Sequence, residues 1–308
     1  MKVSVIGGGG RVGSNTLYAL QLGGVAKELV VIDVARELAE GEALDLRHGA
    51  SLCAPQKIFA GGAEAAEGSD IVIITAGLRR KPDESRLELI NRNVSLFRSI
   101  LQELKAVPLP EHAILLVVSN PVDILTYVAV KEFTLPAHQV MGLGTVLDTT
   151  RFRSLLAEYF GVAATDVKAL ILGEHGDSMV PIWSTATANG VSLQSLPNYS
   201  PQAMQELFDL TKKSGAEVIR LKGGAGYAVG VAIREVVHAI LLDTQQILPV
   251  STLQTGLYGI EDVCLSVPTV VGRRGVLKQI EMAMADEELQ ALRRSAQVLK
   301  ETLAQVMG

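Results

Sequence analysis

A glycine-rich turn that directly follows a short apolar run restricts the fold of this chain more than any other feature. Residues 3–6 form the apolar run, and Gly7-Gly8-Gly9-Gly10-Arg11-Val12-Gly13 follows at once. Glycine lets such a turn bend tightly and bring backbone amides close to a pyrophosphate at a helix N-terminus. Because glycine runs also form plain turns, the rest of the chain has to decide between the two interpretations.

Short runs rich in Val and Ile recur at residues 29–32, 71–74 and 114–118, each followed by turn residues and a helical pattern. Continuous apolar strands that alternate with helices predict a parallel sheet covered on both faces. We therefore expect an α/β protein whose residues 1–142 form a doubly wound dinucleotide-binding domain. Beyond them, helical patterns, a strand and a hairpin-like region at 247–271 predict an α+β domain over residues 143–308.

Asp33 ends the second apolar run, 20 residues past Gly13. An acidic side chain at this place can accept hydrogen bonds from adenosine ribose hydroxyls, and it repels a 2′-phosphate. Gly8, Gly10 and Gly13 satisfy the GxGxxG pattern, and Gly7 can replace Gly8 in a GxxGxxG pattern. With a strand before the glycines and a helix after them, these residues predict a site for NAD rather than NADP.

His175 stands between two glycines in Gly173-Glu174-His175-Gly176-Asp177, directly after an apolar run. This context predicts an imidazole at the end of a strand, where its near-neutral pKa suits proton exchange if a carboxylate fixes the tautomer. An isolated histidine is more often a structural hydrogen-bonding residue. We interpret the other histidines in that way: His48, His112, His138 and His238.

Asp148 is a candidate for the carboxylate that orients His175. It precedes Arg151 by three positions in a helical pattern, so the two side chains share one face of the helix. Two structural alternatives stay open at this stage. Thr145 and Asp148 have the spacing of a capping box, and Asp148 with Arg151 could form a surface ion pair.

The segment from Gly77 to Arg86 carries four cations in ten residues behind an apolar strand. Ser85 and Glu88 have capping-box spacing, which predicts that Arg86 lies in the first turn of a helix. Arg80 lies on the Pro-containing part of the segment, which predicts a mobile loop. The segment is either a loop that meets anions or a solvated basic surface loop.

Composition excludes several classes of function. The net charge is −5 and the cations are scattered, which argues against nucleic acid as a partner. Cys53 and Cys264 are far apart and outside any Cys/His cluster, so we expect no disulfide and no metal site, and a cytoplasmic location. No apolar window of about 18 residues exists, so we expect no membrane span.

Seven motifs resemble, in their order along the chain, those of the lactate/malate dehydrogenase family, and they cover essentially its whole length. They are the GxGxxG turn and residues 31–33, 41–46, 74–77, 119–123, 147–151 and 173–177. The resemblance implies a Rossmann NAD domain at residues 1–142, a catalytic domain at residues 143–308, and NAD-linked oxidation of a 2-hydroxy acid. Because the family assembles as dimers and tetramers, it also implies a homodimer or homotetramer.

The resemblance further implies a role for each matching residue. His175 would exchange the proton at the substrate oxygen, and Asp148 would orient it. Arg151 would bind the substrate's C1 carboxylate, Arg86 would polarise its carbonyl, and Asn120 would hydrogen-bond its oxygen. The residues expected to bind NAD are Gly7, Gly8, Gly10, Gly13, Asp33, Thr75, Gly77, Asn93 and Asn120.

The choice of substrate depends on Arg80, which stands six positions before Arg86. In the family this place typically holds glutamine in lactate dehydrogenases and arginine in malate dehydrogenases, where a second carboxylate is neutralised. An arginine facing the methyl group of pyruvate would be a desolvated, unpaired charge, at a cost of several kcal/mol. Ala225 stands where lactate enzymes usually have threonine. We therefore expect malate and oxaloacetate as the dicarboxylate substrates, and a place in the tricarboxylic acid cycle.

Two alternatives compete with a malate dehydrogenase. Glu174, residues 41–43 and residues 83–86 are more similar to the lactate branch, so the first alternative is an L-lactate dehydrogenase. The second is an NAD-binding sensor or structural subunit without turnover. A protein without turnover has no reason to keep the five expected site residues together, so their joint presence argues against the second alternative: His175, Asp148, Arg151, Arg86 and Asn120.

Overall fold

Strands and helices alternate through the first half of the chain, as the sequence predicts. The computed structural model describes residues 1–81 and 83–307. Its strands are β1 (Lys2–Ile6), β2 (Glu28–Ile32), β3 (Lys57–Gly61), β4 (Ile71–Ile74), β5 (Ile114–Val117), β6 (Val140–Gly142), β7 (Val167–Leu172), β8 (Val180–Ala188), β9 (Val191–Ser192), β10 (Gln246–Leu248), β11 (Ser251–Thr255), β12 (Glu261–Ser266), β13 (Thr269–Gly272) and β14 (Gly275–Gln279). Its helices are α1 (Arg11–Gly23), α2 (Arg36–His48), α3 (Arg86–Leu104), α4 (Val122–Glu132), α5 (Val146–Phe160), α6 (Pro201–Lys222), α7 (Tyr227–Leu241) and α8 (Asp286–Met307).

The main sheet has the strand order β12-β11-β6-β5-β4-β1-β2-β3. Strands β1 to β6 run parallel, and the order reverses between β1 and β4. In doubly wound sheets the ligand crevice lies at the carboxyl ends of the strands where the order reverses. The expected α/β fold with a Rossmann sheet is confirmed, and its geometry directs attention to the segments that follow β1 and β4.

Two helical layers cover the central strands, and the alternation of side chains along each strand explains why. Ile71 and Ile73 of β4 pack into one core with Leu17 of α1. Val72 and Ile74 point the other way and pack with residues of α3 and α4. Since both faces of the strand are buried, the strand reads as a continuous apolar run.

The second half of the chain forms an α+β arrangement. One small sheet has the order β7-β8-β9 and packs against α5, and another has the order β10-β13-β14. Strands β11 and β12 instead extend the main sheet, because Ser251 pairs antiparallel with Gly142 at the end of β6. The division at residue 142 stays a prediction, and the main sheet crosses it.

The final helix, α8, packs through an apolar stripe. Leu292, Ala296, Leu299 and Leu303 are buried against the core formed by α3, α4 and β12. Two polar side chains of the same helix are buried as well. Ser295 accepts a hydrogen bond from the Glu174 backbone, so α8 also supports the segment that carries His175.

Residues 1–81 and 83–307 contain neither a candidate membrane span nor a candidate metal cluster. No helix in that part of the chain is long and apolar enough to span a membrane. No group of three or more His, Cys, Asp or Glu side chains there is arranged to hold a metal ion. The cytoplasmic location stays a prediction.

Candidate functional site

The glycine turn after β1 is packed so closely that side chains would not fit. A Cβ atom on Gly13 would lie 2.2 Å from the Gly7 carbonyl oxygen, and one on Gly8 would lie 2.7 Å from Val31. Gly7 has φ +80°, a conformation that L side chains rarely adopt. These glycines bring the turn against the sheet and leave the N-terminus of α1, which begins at Arg11, open to an anion.

Asp33 follows β2 beside this turn. Its Oδ2 accepts a hydrogen bond from the Gly9 backbone at 3.1 Å, and its Oδ1 accepts one from the Ala35 backbone at 3.0 Å. The two bonds orient the carboxylate, and each oxygen keeps a lone pair for another donor. Together with the open end of α1, this donor and acceptor set fits a pyrophosphate with an attached ribose.

The end of β4 is tied to the same turn. The Thr75 hydroxyl donates to the Ile6 and Gly7 carbonyls at 3.0 and 3.2 Å. Gly77, two residues on, is exposed. The structure thus brings Thr75 and the glycine turn together at the point where the strand order reverses.

His175, Asp148 and Arg151 form one connected cluster. His175 Nδ1 lies 2.5 Å from Asp148 Oδ2, and Arg151 donates to Asp148 Oδ1 at 3.2 Å. Because an ionised carboxylate only accepts hydrogen bonds, Nδ1 carries a proton and Nε2 is the nitrogen left to exchange one. The Asp148 side chain is 2% exposed, so the surface ion pair considered from the sequence is ruled out.

Threonines on α5 place Asp148 opposite His175. The Thr149 hydroxyl accepts a hydrogen bond from the Ile171 backbone at 3.0 Å, and the Thr145 hydroxyl donates to the Ile171 carbonyl at 2.5 Å. These bonds hold the start of α5 against the end of β7. Thr145 makes no side-chain cap to the helix, so the capping-box alternative for Asp148 does not apply.

The charges of the cluster shift the pKa values of its members. Burial alone would lower the pKa of His175, and the Asp148 carboxylate outweighs burial and raises it to about 9. Burial alone would raise the pKa of Asp148, and the His175 and Arg151 cations outweigh it, so that this pKa is lowered. The pair therefore favours a protonated imidazole beside an ionised carboxylate at neutral pH.

Sequence reasoning missed a second carboxylate at His175. Asp123, in the first turn of α4, accepts a hydrogen bond from the His175 backbone at 2.8 Å and one from the Ser251 hydroxyl at 2.6 Å. The residue is 3% exposed, and burial raises its pKa to about 6. The sequence signal for this role was a lone acidic residue within the apolar run that begins α4. It was not distinctive, because an aspartate in the first turn of a helix is usually explained by capping.

Arg86 begins α3, as the capping-box spacing predicts. Ser85 caps the helix and Glu88 completes the box. The Arg86 guanidinium lies 3.1 Å from Asp177 and 3.6 Å from Glu174, which links it to the segment that carries His175. Its side chain is 66% exposed, so the cation faces the site from the solvent side.

The loop before Arg86 is held by hydrogen bonds between its own residues. Arg80 is exposed, and its Nε donates to the Glu84 carbonyl at 2.8 Å. The buried Glu84 carboxylate accepts hydrogen bonds from the Lys81 backbone and from Arg92. Within the described residues, Arg80 makes no hydrogen bond to the His175 cluster.

Asn93 and Asn120 lie at opposite extremes of exposure. Asn93 is buried. Its Oδ1 accepts a hydrogen bond from the Leu78 backbone at 2.8 Å, and its Nδ2 donates one to the Leu89 carbonyl at 3.0 Å. It thus holds the base of the loop to α3. Asn120 is exposed after β5, where its amide is free to face a ligand in the crevice.

A cavity of about 870 Å³ opens between α5, α6, α7 and β10. Arg151 and Ala225 both contribute to its lining. His175 and Arg86 are not part of this lining, so the cavity adjoins the His175 cluster through Arg151 alone. An imidazole that exchanges protons, a carboxylate-binding cation and a nucleotide crevice together suit oxidation and reduction of a small acid with a dinucleotide.

Comparison with known proteins gives a consistent result. The family model described as lactate/malate dehydrogenase, NAD binding domain, matches residues 1–142, and the one described as lactate/malate dehydrogenase, alpha/beta C-terminal domain, matches residues 145–308. L-lactate dehydrogenase 1 of Clostridium acetobutylicum is 47% identical over 98% of this chain and 97% of its own length. An L-lactate dehydrogenase of Synechococcus is 43% identical over 98% of both chains. The crystal structure of the minor L-lactate dehydrogenase of Enterococcus mundtii superposes with a TM-score of 0.95, at 39% identity, over 99% of this chain and 98% of that one.

The expectation of a malate dehydrogenase of the tricarboxylic acid cycle, with dicarboxylate substrates, is wrong. The relatives and the solved structure named above are all L-lactate dehydrogenases. The expectation assumed that Arg80 becomes a buried charge without a partner. In the structure Arg80 is exposed and donates to the carbonyl of Glu84 in its own loop, so its guanidinium has a hydrogen-bond partner before any substrate binds.

Family membership rests on both halves of the molecule. The nucleotide crevice after β1 and β4 lies within the matched NAD binding domain. The His175 cluster lies within the matched C-terminal domain. The chain belongs to the lactate/malate dehydrogenase family and is an NAD-dependent 2-hydroxy acid dehydrogenase.

Proposed function

We propose that this protein is an NAD-dependent L-lactate dehydrogenase, which interconverts pyruvate and L-lactate. The observation that carries the chemistry is the buried His175–Asp148 pair with Arg151 bound to the same carboxylate. The choice of lactate is supported by relatives at 43–47% identity over nearly the whole chain. The residue roles are those that the family resemblance implies, and the contacts of His175 with Asp148 and of Arg86 with Asp177 support them.

His175 is the proton donor in reduction and the proton acceptor in oxidation. Asp148 fixes the tautomer that leaves Nε2 for the substrate oxygen, and it stabilises the imidazolium. The raised pKa of about 9 keeps the imidazole protonated at neutral pH, which suits the reduction of a 2-oxo acid. NAD supplies or accepts the hydride when it is bound.

Two arginines divide the recognition of the substrate. Arg151 offers a planar guanidinium to the substrate carboxylate, a geometry that allows two parallel hydrogen bonds and fixes the face presented to the cofactor. Arg86 stabilises the negative charge that develops on the substrate oxygen, with Asn120 as a further hydrogen-bond donor. A carboxylate holds each arginine near the site: Asp148 pairs with Arg151, and Asp177 pairs with Arg86.

The cofactor occupies the crevice at the strand reversal. The pyrophosphate binds at the N-terminus of α1, where Gly8, Gly10 and Gly13 allow close approach, and Asp33 accepts the ribose hydroxyls. Thr75 and Gly77 form the opposite wall. Asn93, which the family resemblance gives as an NAD-binding residue, also holds the loop to α3 through its amide.

A steady-state comparison of 2-oxo acids tests the proposal. NADH oxidation is measured with pyruvate and with oxaloacetate at equal enzyme concentration, and kcat/KM is compared. We expect the larger value with pyruvate. A larger value with oxaloacetate would contradict the proposal, and activity with NADPH equal to that with NADH would contradict the role given to Asp33.

We also propose that the protein is a homo-oligomer. Apolar side chains that line the cavity near α7 are exposed in the single chain, among them Tyr227, Val231 and Ile247. A contiguous apolar surface of this kind is typical of an interface. Sedimentation equilibrium is expected to give two or four times the mass of the chain, and a monomer at micromolar concentration would contradict the proposal.

A further inference from the structure

His175 lies between two buried carboxylates, and only one of them is explained by the proposed function. Asp148 binds the imidazole ring. Asp123 binds the backbone of the same residue, from a different helix, and is closed off from solvent. A buried carboxylate is costly unless charges or hydrogen bonds compensate it, so the presence of a second one here needs a reason.

The two hydrogen bonds of Asp123 do not by themselves require a charge. Its donors are a backbone amide of His175 and the hydroxyl of Ser251, both neutral groups. The side-chain oxygen of an asparagine or a serine can also accept a hydrogen bond from a backbone amide. Among the described residues, no Lys or Arg lies within ion-pair distance of Asp123.

The charged groups around His175 come from several elements. Asp148 and Arg151 face it from α5, and Asp123 faces it from α4. Glu174 adjoins it in the chain and acts on Asp123, with Arg86 of α3 beside Glu174. Cys264 of β12 lies near Asp123 and is uncharged, because burial raises its pKa well above the usual value. The imidazolium of His175 is the cation in this set that acts on Asp123.

We propose that Asp123 is a positioning residue whose negative charge acts through His175, stabilising the imidazolium while its hydrogen bond fixes the backbone of the catalytic segment. The inference rests on the acid/base role of His175 and is independent of whether pyruvate or oxaloacetate is the better substrate. Protonation of His175 then depends on two carboxylates, one at the ring and one at the backbone. Burial raises the pKa of Asp123 only to about 6, so its carboxylate is ionised in the alkaline range where His175 titrates.

Asp123→Asn separates charge from geometry. The amide oxygen of asparagine can accept from the His175 backbone, and the Ser251 hydroxyl can rotate to accept from the amide nitrogen. The variant therefore keeps both hydrogen bonds and loses the charge. Asp123→Ser is a second neutral variant with an acceptor for the backbone amide, and Ser251→Ala is the matched control that keeps the charge and removes one bond.

Two measurements test the inference. The imidazole of His175 is titrated by NMR in the cofactor-free protein, and kcat/KM is measured against pH with whichever 2-oxo acid is reduced faster. In both neutral variants we expect the midpoint of the His175 NMR titration to fall by about one pH unit. The midpoint of the alkaline fall in kcat/KM for reduction should move down by the same amount. In Ser251→Ala both midpoints are expected to stay at the wild-type value.

Distinct outcomes would overturn the inference. An unchanged midpoint in a folded neutral variant would show that Asp123 only caps the backbone. Loss of folding in both neutral variants would show that the carboxylate serves the fold instead of the imidazole. A preference for oxaloacetate would contradict the proposed function and leave the NMR midpoints, and so this inference, intact.

Discussion

The His175 cluster and the loop that leads to Arg86 serve one site, and they differ in almost every physical respect. Asp148 is buried, and the cluster is held by α4, α5, α8 and β7 through hydrogen bonds that do not depend on a ligand. The loop is exposed, and its cations bind acceptors of their own surroundings, such as the Glu84 carbonyl and Asp177. The His175 cluster is preorganised for proton transfer. The loop presents cations that have to exchange their present acceptors for the substrate.

This difference indicates how each region contributes to the reaction. A buried cluster can set a pKa, because low solvent exposure makes its charges interact strongly. An exposed loop cannot do so until it closes and excludes water, so its cations act in binding and at the transition state. Variants in the cluster should therefore change the pH dependence of the reaction, and variants in the loop should change rate and substrate preference.

The largest effect is expected for His175→Ala. Removing the group that exchanges the proton should lower kcat by about 10²- to 10⁴-fold, with NADH binding nearly unchanged. The matched control is His112→Ala, because His112 also pairs with an aspartate, Asp70 at 2.9 Å, on an exposed surface. Rates and NADH dissociation constants are measured for both variants. Loss of NADH binding in His175→Ala would indicate a structural histidine.

Arg86→Gln should lower kcat by about 10²- to 10³-fold, the usual cost of removing one donor to a developing oxyanion. Because the side chain is largely exposed, the melting temperature should hardly change. Arg79→Gln, a cation of the same exposed loop, is the control and should keep wild-type rates. Equal losses in both variants would mean that the loop acts only through its total positive charge.

Arg80→Gln should raise kcat/KM for pyruvate relative to oxaloacetate by about tenfold or more. Glutamine carries no charge to desolvate when the loop meets the methyl group of pyruvate. The free energy of unfolding should stay the same, since Arg80 is exposed and its partner is a backbone carbonyl. An unchanged ratio would remove Arg80 from substrate selection altogether.

The smallest effect on rate is expected for Asn93→Ala. Losing the amide that holds the loop to α3 leaves the Leu78 N–H without its side-chain acceptor and should cost about 1 kcal/mol of unfolding free energy. The KM for the 2-oxo acid should rise more than the dissociation constant of NADH. A selective loss of NADH affinity would instead support the cofactor-binding role that the family resemblance implies for Asn93. Chemical denaturation and fluorescence titration measure the two quantities.

Local patterns predicted the parts of the structure that local physics controls. The apolar runs form the buried parallel strands, and Ser85 with Glu88 forms the expected capping box. His175 and Asp148 are brought together as the family resemblance implies. In each of these cases the residue type and its spacing carry the information.

The parts that sequence reasoning missed depend on pairings between distant segments. Nothing in residues 251–266 indicates that they extend the first sheet, because an antiparallel edge strand has the same pattern in either sheet. The role of Asp123 depends on a backbone amide 52 positions away. The hydrogen bond from Arg80 to the Glu84 carbonyl was also missed, because an acceptor on the backbone has no sequence signature.

The sheet that crosses residue 142 has a consequence for synthesis on the ribosome. β6 leaves the ribosome long before β11, the strand that pairs with it. The delay is longer still for α1, which packs against α7. At ordinary translation rates the delay between Gly142 and Ser251 is on the order of ten seconds. During that time the nascent chain presents an unpaired strand edge and an uncovered apolar helix face, both of which favour aggregation. We therefore expect this chain to depend on chaperones chiefly during the interval in which only its N-terminal half has been synthesised.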